Sequence, residues 1–194
     1  MKWLSKDQLT KENVLDARAD LVFAGWNYGF RDDSGFTPEA LKKLGIPSYI
    51  LTESCRNGRT KTSRGRMPPL DALYADLTNL GKLFGVEKRA AALIADFKRQ
   101  IADVRAKVPK GAERPKVFLY DSGQDQPFTS GRYAAPEQII SEAGGGNVIH
   151  DVADSWTTIK QRRIFVLDYV DLVESPRNPA AIARLGAYLR TAVA

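Results

Sequence analysis

The sequence predicts an α/β protein in which two units are joined by a helical segment. Short apolar runs, which are typical of buried strands, alternate with stretches of helical periodicity. This alternation occurs on both sides of a long central region whose apolar residues keep helical spacing. Because a strand, helix, strand order favours parallel pairing, each unit is expected to contain a parallel sheet.

The first unit is predicted from two apolar runs, residues 21–24 and 49–51, which are expected to form buried strands. Between them, Thr37 is a typical N-cap residue and the proline that follows it suits a first helical turn. We therefore expect a helix that begins at Thr37 and ends near Gly45. Residues 13–18 indicate another helical segment ahead of the first strand.

The central helical region extends from Leu70 to Val108 and is interrupted at Gly85. A helical region of this length is unusual in a small α/β chain, and it either caps one domain or forms a stiff strut between two lobes. The predicted division is an N-terminal lobe, a bridging helical segment and a C-terminal lobe, at residues 1–69, 70–110 and 111–194.

The second unit repeats the pattern of the first. Residues 116–120 predict a strand, and the segment after Pro136 predicts a short helix that the glycines at 144–146 end. Residues 164–167 predict a second strand. Asn178 and the proline after it predict the start of a final helix with one apolar face.

Composition and charge exclude several classes of protein. The chain is 43% hydrophobic with a net charge of +6, so it is neither disordered nor collagen-like, and its one cysteine excludes an internal disulfide. No stretch reaches the roughly 18 apolar residues of a membrane span. The N-terminal segment has a broken apolar run and no cleavage site of the signal-peptide type, which leaves the location open.

One short stretch, residues 56–66, is strongly basic and contains no acidic residue. It suggests either contact with an anionic ligand or nucleic acid, or a solvated loop. Because no aromatic residue is interleaved to stack a base, we expect a solvated loop and no nucleic-acid partner.

Enzyme motifs are largely absent. No Gly-x-Gly-x-x-Gly sequence follows a strand, no phosphate-binding loop is present, and one cysteine with one histidine cannot supply a usual zinc site. Cys55 and His150 are each more typical of packing than of a catalytic pair. A small α/β enzyme or regulatory domain that uses the loops of Cys55 and Asp121 stays an alternative. Nothing distinguishes an acid or base among the loop carboxylates at Asp32, Asp33, Glu53, Asp121 and Asp171.

Aromatic residues are concentrated in the segments that follow the predicted strands. Trp26 and Tyr28 follow the first strand, Phe128 and Tyr133 lie after the third, and Tyr169 lies after the fourth. Ligands of open α/β sheets bind outside the carboxyl ends of the strands. Large flat side chains with a polar end would form suitable walls for a broad organic ligand there, although Trp26 and Phe128 would equally serve to cover their own lobes.

At these residues the sequence closely resembles the periplasmic substrate-binding proteins of ABC importers for iron siderophores, haem and cobalamin. The resemblance runs from about Asn13 to Ile159 and resumes from Arg163 through the final helix. It implies two Rossmann-like lobes with parallel sheets, one long bridging helix and a ligand held in the cleft between the lobes. The segments that carry it are ADLVFAGW at 19–26, LGIP at 44–47, LGKLFG at 80–85, PFTSG at 127–131 and AGGGNV at 143–148, followed by Trp156.

The chain departs from this family in two places. Family members carry several tens of residues before the segment equivalent to residues 4–20, where they supply the first strands of the N-terminal lobe. They also carry a helix, a strand and a further helix in the place of residues 160–162. The chain therefore resembles a shortened member, and both lobes are expected to be incomplete.

The resemblance implies which residues contact the ligand. It places Trp26, Phe128 and Trp156 against an iron chelate or corrinoid, with Tyr28 and Tyr169 as neighbours.

Arg177 is the remaining neighbour, and it would meet a carboxylate or catecholate oxygen of a siderophore bidentately. Glu39 matches the surface glutamate with which the N-terminal lobe docks on an arginine of the ABC permease, although the helix dipole alone would also explain a carboxylate there. The resemblance further implies a periplasmic protein that is not an enzyme and has no resident cofactor, the metal chelate being its cargo.

Overall fold

The computed structural model of the chain describes residues 3–6, 8–25, 30–54, 67–121, 129, 134–148, 171 and 175–193. The chain forms two compact units, Met1–Arg64 and Gly65–Ala194. The predicted α/β class with small parallel sheets is confirmed. The division at 1–69, 70–110 and 111–194 stays a prediction.

The first unit contains a parallel two-stranded sheet within its described residues. Its helices and strands are α1 (Lys11–Asp16), β1 (Val22–Ala24), α2 (Pro38–Lys43) and β2 (Ser48–Ile50), followed by a 3-10 turn at Thr52–Ser54. The two strands pair from Val22 opposite Ser48 to Ala24 opposite Ile50. The core of this unit consists of the buried side chains of Val14, Phe36, Leu41 and Ile46.

Local signals set the ends of α2 as the sequence predicts. The Thr37 hydroxyl accepts a hydrogen bond from the Ala40 amide at 3.1 Å, which satisfies a donor of the first turn. Gly45 ends the helix with a φ of +79°, a conformation that glycine adopts without strain. The helix α1 begins two residues earlier than predicted, because Thr10 and Asn13 cap each other reciprocally at its start.

The second unit is mainly helical within its described residues. Its elements are α3 (Pro69–Leu83), α4 (Glu87–Arg105), β3 (Lys116–Val117), α5 (Ala135–Glu142), β4 (Gly146–Asn147) and α6 (Asn178–Val193). The central helical region is thus two helices, with the predicted break at Gly85, where φ is +66°. The left-handed glycine reverses the chain, so that α3 packs on the longer helix α4.

One apolar core joins the four helices that the structure describes in the second unit. Leu73 of α3, Phe97 and Ile101 of α4, Ile139 of α5 and Ile182 of α6 are all buried in it. The predicted apolar face of the final helix is confirmed by the burial of its leucines and isoleucine. The helical region therefore belongs to the second unit and shares its stability.

The strands β3 and β4 are parallel and short. Lys116 pairs with Gly146 and Val117 with Asn147, so β3 is shorter than the predicted 116–120. Gly144 ends α5 with a φ of +93°, as predicted. The strand predicted at residues 164–167 lies outside the described residues. Among the helices that the structure describes, none has the length and apolar character needed to cross a membrane.

Candidate ligand-binding site

The carboxyl ends of β1 and β2 lie side by side in the first unit. The Leu51 amide donates a hydrogen bond to the Ala24 carbonyl at 3.2 Å, which extends the parallel pairing by one step beyond β2. The segments that leave the two strands therefore start at the same edge of the sheet, where α/β proteins bind ligands. Trp26 and Tyr28 follow β1 directly, and both lie outside the described residues.

The segment after β2 is a buried 3-10 turn. Its Ser54 amide donates to the Leu51 carbonyl at 2.9 Å. The side chains of Glu53 and Ser54 are buried, being only 8% and 5% exposed. The candidate carboxylate of Glu53 thus lies inside the first unit, and Cys55, which comes next, is outside the described residues.

The second unit has the same arrangement at the ends of β3 and β4. The Val148 amide donates to the Val117 carbonyl at 3.0 Å, so the segments after both strands again begin at one edge. Asp121, in the segment after β3, is exposed. Phe128, Trp156 and Tyr169 lie outside the described residues, as does His150, so their predicted contacts with a ligand stay predictions.

Arg177 lies in a cluster of charged side chains before α6. Its Nε atom is 2.9 Å from Oδ1 of Asp171, and Nη1 of Arg184 is 3.0 Å from Oδ2 of the same carboxylate. Asp171 is only 2% exposed, whereas the side chains of Arg177 and Arg184 are 57% and 50% exposed. One buried carboxylate thus holds two half-exposed guanidinium groups, and these three described side chains sum to one positive charge.

Asn178 fixes the backbone on which this cluster depends. Its amide Nδ2 donates to the Asp171 carbonyl at 2.9 Å, and its Oδ1 accepts from the Ser175 amide at 2.9 Å. The side chain is 1% exposed, so these hydrogen bonds are shielded from water. The predicted helix-starting asparagine therefore also ties residue 171 to the start of α6. Asp171, one of the candidate acids or bases, is engaged as an ion-pair partner.

Glu39, the predicted permease contact, lies in the first turn of α2 and is exposed. Its position two residues after the Thr37 cap places the carboxylate at the positive end of the helix dipole. The side chain is thus accessible to a partner, and the dipole accounts equally well for its place in the helix.

Among the residues that the structure describes, no group of three or more His, Cys, Asp or Glu side chains has the proximity that a metal ion needs. The basic stretch at 56–66 lies outside them.

Comparison with protein families gives a match that covers most of the chain. The periplasmic binding protein family matches residues 2–168 of the chain. The chain belongs to this family. Curated protein sequences give no match.

Solved structures of periplasmic binding proteins share the fold. RhuT, a periplasmic heme-binding protein from Roseiflexus sp. RS-1 in apo form, is 21% identical, with a TM-score of 0.71 over 97% of this chain and 82% of RhuT. An ABC-type Fe3+-hydroxamate transport protein from Saccharomonospora viridis DSM 43017 is 24% identical, with a TM-score of 0.55 over 76% of this chain and 46% of that one. A periplasmic binding protein from Veillonella parvula dsm 2008 is 23% identical, with a TM-score of 0.63 over 80% of this chain.

The length covered differs between these relatives. The chain spans 48% of the Veillonella protein and 46% of the Saccharomonospora protein, but 82% of RhuT. At identities below 25%, the likeness concerns the fold, and it agrees with the family membership.

Sequence reasoning missed the polar contacts that hold this family member's second unit together. Arg105 of α4 binds the carboxylate of Glu142 in α5 through Nε and Nη2, and Glu142 is only 8% exposed. These hydrogen bonds, which Arg105 donates to the Glu142 carboxylate, raise the pKa of Arg105. Gln138 of α5 accepts a hydrogen bond at 2.7 Å from the Leu70 amide, so it caps α3 from another helix.

Tyr74 lies beside this ion pair. Burial raises the pKa of the Tyr74 phenol above its usual value of 10.0, and the carboxylates of Glu142 and Asp71 raise it further. Nζ of Lys98 lies 5.0 Å from the centre of the tyrosine ring, within the range of a cation–π contact. Of the side chains in these contacts, only Lys98 could have been placed from the sequence, because helical spacing assigns it to one face of α4.

Proposed function

We propose that this chain is the substrate-binding component of an ABC importer, which captures an iron chelate and delivers it to the membrane permease. The family match over residues 2–168 carries the proposal, because it covers nearly all of the first unit and most of the second. The names of two structural relatives refer to heme and to Fe3+-hydroxamate, which makes an iron chelate the preferred ligand class over a corrinoid. The proposed role is capture and release without catalysis, in the periplasm.

The charged cluster before α6 supports an anionic ligand. Siderophores and haem carry carboxylate, hydroxamate or catecholate oxygens, and a guanidinium group binds such oxygens with two parallel hydrogen bonds. Among the described side chains of this cluster, Arg177 and Arg184 bring two positive charges to the single negative charge of Asp171. The aromatic residues Trp26, Phe128 and Trp156 would supply the flat apolar contacts that a macrocycle requires.

A fluorescence titration tests the ligand class. Because the chain has three tryptophans and two of them are proposed to contact ligand, binding of hemin or of a ferric trihydroxamate should quench the intrinsic fluorescence in a saturable way. We expect Trp156→Ala to weaken binding more than tenfold, about 1.4 kcal/mol, whereas Trp3→Ala should bind as the wild type does. Trp3 is a suitable control because its side chain is 77% exposed and lies outside the proposed site.

The outcome of this titration decides which class of ligand the protein binds. A saturable response to cyanocobalamin alone would replace the iron chelate by a corrinoid. Absence of saturable binding for all three probes would refute the proposal. Equal affinities of the wild type and Trp156→Ala would remove Trp156 from the site.

The role of Arg177 is tested against its neighbour. Arg177 and Arg184 contact the same carboxylate, so Arg177→Lys and Arg184→Lys disturb the cluster similarly. If Arg177 binds a ligand carboxylate, Arg177→Lys alone should lower the affinity for hemin, by about threefold or more, because lysine offers no paired donors. The difference should disappear with hemin dimethyl ester, whose carboxylates are blocked. Equal affinities of the two variants for hemin would assign Arg177 to folding alone.

Glu39 is proposed to dock on an arginine of the permease. The matched control is Glu12, which is also an acidic residue in the first turn of a short helix with a threonine cap. With a permease reconstituted in lipid, Glu39→Arg should reduce the stimulation of ATP hydrolysis, whereas Glu12→Arg should not. Equal effects of the two substitutions would exclude Glu39 as a specific contact.

A further inference from the structure

The turn between α3 and α4 exposes an unusual concentration of apolar side chains. We call residues 82–89 the hairpin tip, and every one of them is exposed. Leu83, Phe84 and Val86 are 49%, 64% and 45% exposed, although each has an apolar side chain of a type that is commonly buried. Three large apolar side chains within four consecutive residues thus face water at one convex turn.

The backbone of the hairpin tip is already hydrogen-bonded. The Phe84 amide donates to the Leu80 carbonyl at 3.0 Å, the Gly85 amide to Lys82 at 3.4 Å, and the Val86 amide to Gly81 at 2.8 Å. The amides of Phe84, Gly85 and Val86 can therefore leave water without losing hydrogen bonds, which removes part of the cost of placing this turn in an apolar layer.

The charge around these apolar side chains is mainly positive. Lys82, Lys88 and Arg89 lie in the hairpin tip, against the single acid Glu87. The helix α4 begins here without a side-chain cap, so the positive end of its dipole adds to the same field. An apolar centre with a basic rim is complementary to a surface that is apolar below and anionic above.

We propose that the hairpin tip docks on an anionic phospholipid surface, with Leu83, Phe84 and Val86 inserted at the level of the headgroups and the basic residues against lipid phosphates. A protein partner fits less well, because a standard protein interface uses about 20–30 residues on each side and the hairpin tip has only eight. This contact holds the protein at the membrane surface and is independent of the ligand proposed above.

Binding to lipid vesicles tests the contact in the full chain without any ligand. We expect the protein to float with vesicles of mixed phosphatidylglycerol and phosphatidylcholine, to bind weakly to phosphatidylcholine alone, and to dissociate as salt is raised. Phe84→Ser should lower the apparent affinity about tenfold and Lys88→Glu at least about fivefold. The control is Leu44→Ser, which removes a leucine that is 47% exposed at the end of α2 and should leave binding unchanged.

A fluorescence measurement locates the inserted residue. Phe84→Trp should show a blue shift and quenching by brominated lipids that Leu44→Trp lacks, after subtraction of the wild-type signal. Far-UV circular dichroism of each variant establishes that the exposed substitutions leave the fold intact. Equal vesicle binding by Phe84→Ser and Leu44→Ser, or an unquenched Phe84→Trp, would overturn the proposal. Either failure leaves the ligand titrations unaffected, since these are carried out without lipid.

Discussion

Gly81 lies in the last turn of α3, on the side that faces α4, and its replacement by alanine tests the packing of these two helices. A Cβ atom added at Gly81 would be 2.7 Å from Cβ of Ala90 and 3.4 Å from Cα of Glu87. Non-bonded carbon atoms normally approach to about 3.5–4.0 Å. Because Cβ of Ala90 is attached directly to the backbone and cannot rotate away, Gly81→Ala requires the two helices to move apart by about 1 Å.

Two opposing effects determine the free energy of unfolding of this variant. Alanine is favoured over glycine in a helix by about 1 kcal/mol, which stabilises the variant. Overpacking of a tight contact costs about 1–3 kcal/mol. The expected net loss is therefore about 0–2 kcal/mol, and each kcal/mol lowers the Tm by about 2–4 °C in a chain of this size.

A double-mutant cycle separates these effects. In Gly81→Ala with Ala90→Gly, the clashing methyl group is removed, so the double variant should be more stable than the sum of the single changes predicts, by about 1–3 kcal/mol. Ala91→Gly is the control for the intrinsic cost of glycine, because Ala91 is exposed and next to Ala90 in α4. Urea unfolding followed by far-UV circular dichroism measures all variants. A Gly81→Ala protein more stable than the wild type, together with additive free energies, would refute the packing argument.

Three further predictions concern the polar contacts of the second unit. Arg105→Ala should reduce the free energy of unfolding by about 1–3 kcal/mol, because it leaves the buried Glu142 carboxylate without its partner, and Arg105→Ala combined with Glu142→Leu should recover part of the loss in urea unfolding. Because the pKa of Tyr74 is raised in the folded protein, the phenol loses its proton at lower pH in the unfolded chain than in the folded one. The free energy of unfolding of the wild type should therefore fall as the pH rises above 10.0, and Tyr74→Phe should reduce this fall between about pH 9 and about pH 11. Asp171→Asn should accelerate hydrogen exchange of the backbone amides in the first turns of α6. If Arg184→Lys, which keeps the Asp171 carboxylate, gave the same exchange pattern, the carboxylate charge would have no part in anchoring the helix.

Sequence reasoning succeeded where the determinant is local. Thr37 and Gly45 bound α2 through contacts within four or five residues, and Gly85 and Gly144 reverse the chain by their own backbone conformation. Such signals are present in the order of residue types, so the helix ends and the two parallel pairs were predictable. The early start of α1 was missed because the reciprocal cap uses Asn13, which helical periodicity alone does not reveal.

Contacts between distant residues were not predictable. Arg105 and Glu142 are 37 residues apart, and Gln138 and Leu70 are 68 apart, so neither pair leaves a periodic trace in the sequence. The pairing of β3 with β4, Lys116 with Gly146 and Val117 with Asn147, is likewise a tertiary property. The aromatic ligand site was predicted from the position of aromatic residues after the strands and from the family resemblance. Of this prediction, the structure confirms only where the strands end.

The cluster at Asp171 explains how an arginine can be both a structural and a binding group. A lone exposed arginine loses side-chain entropy when it binds a ligand, whereas Arg177 is already held through Nε by a carboxylate that is 2% exposed. A single ion pair of this kind would be neutral and would no longer attract an anion. Because Arg184 binds the second oxygen of Asp171, these three described side chains carry one positive charge between them while their orientation is fixed. We therefore expect Arg184→Gln, which removes that charge and leaves the hydrogen-bonding capacity, to weaken hemin binding mainly by slowing association at low salt. An effect of the same size at high salt would show that Arg184 acts through the position of Arg177 instead.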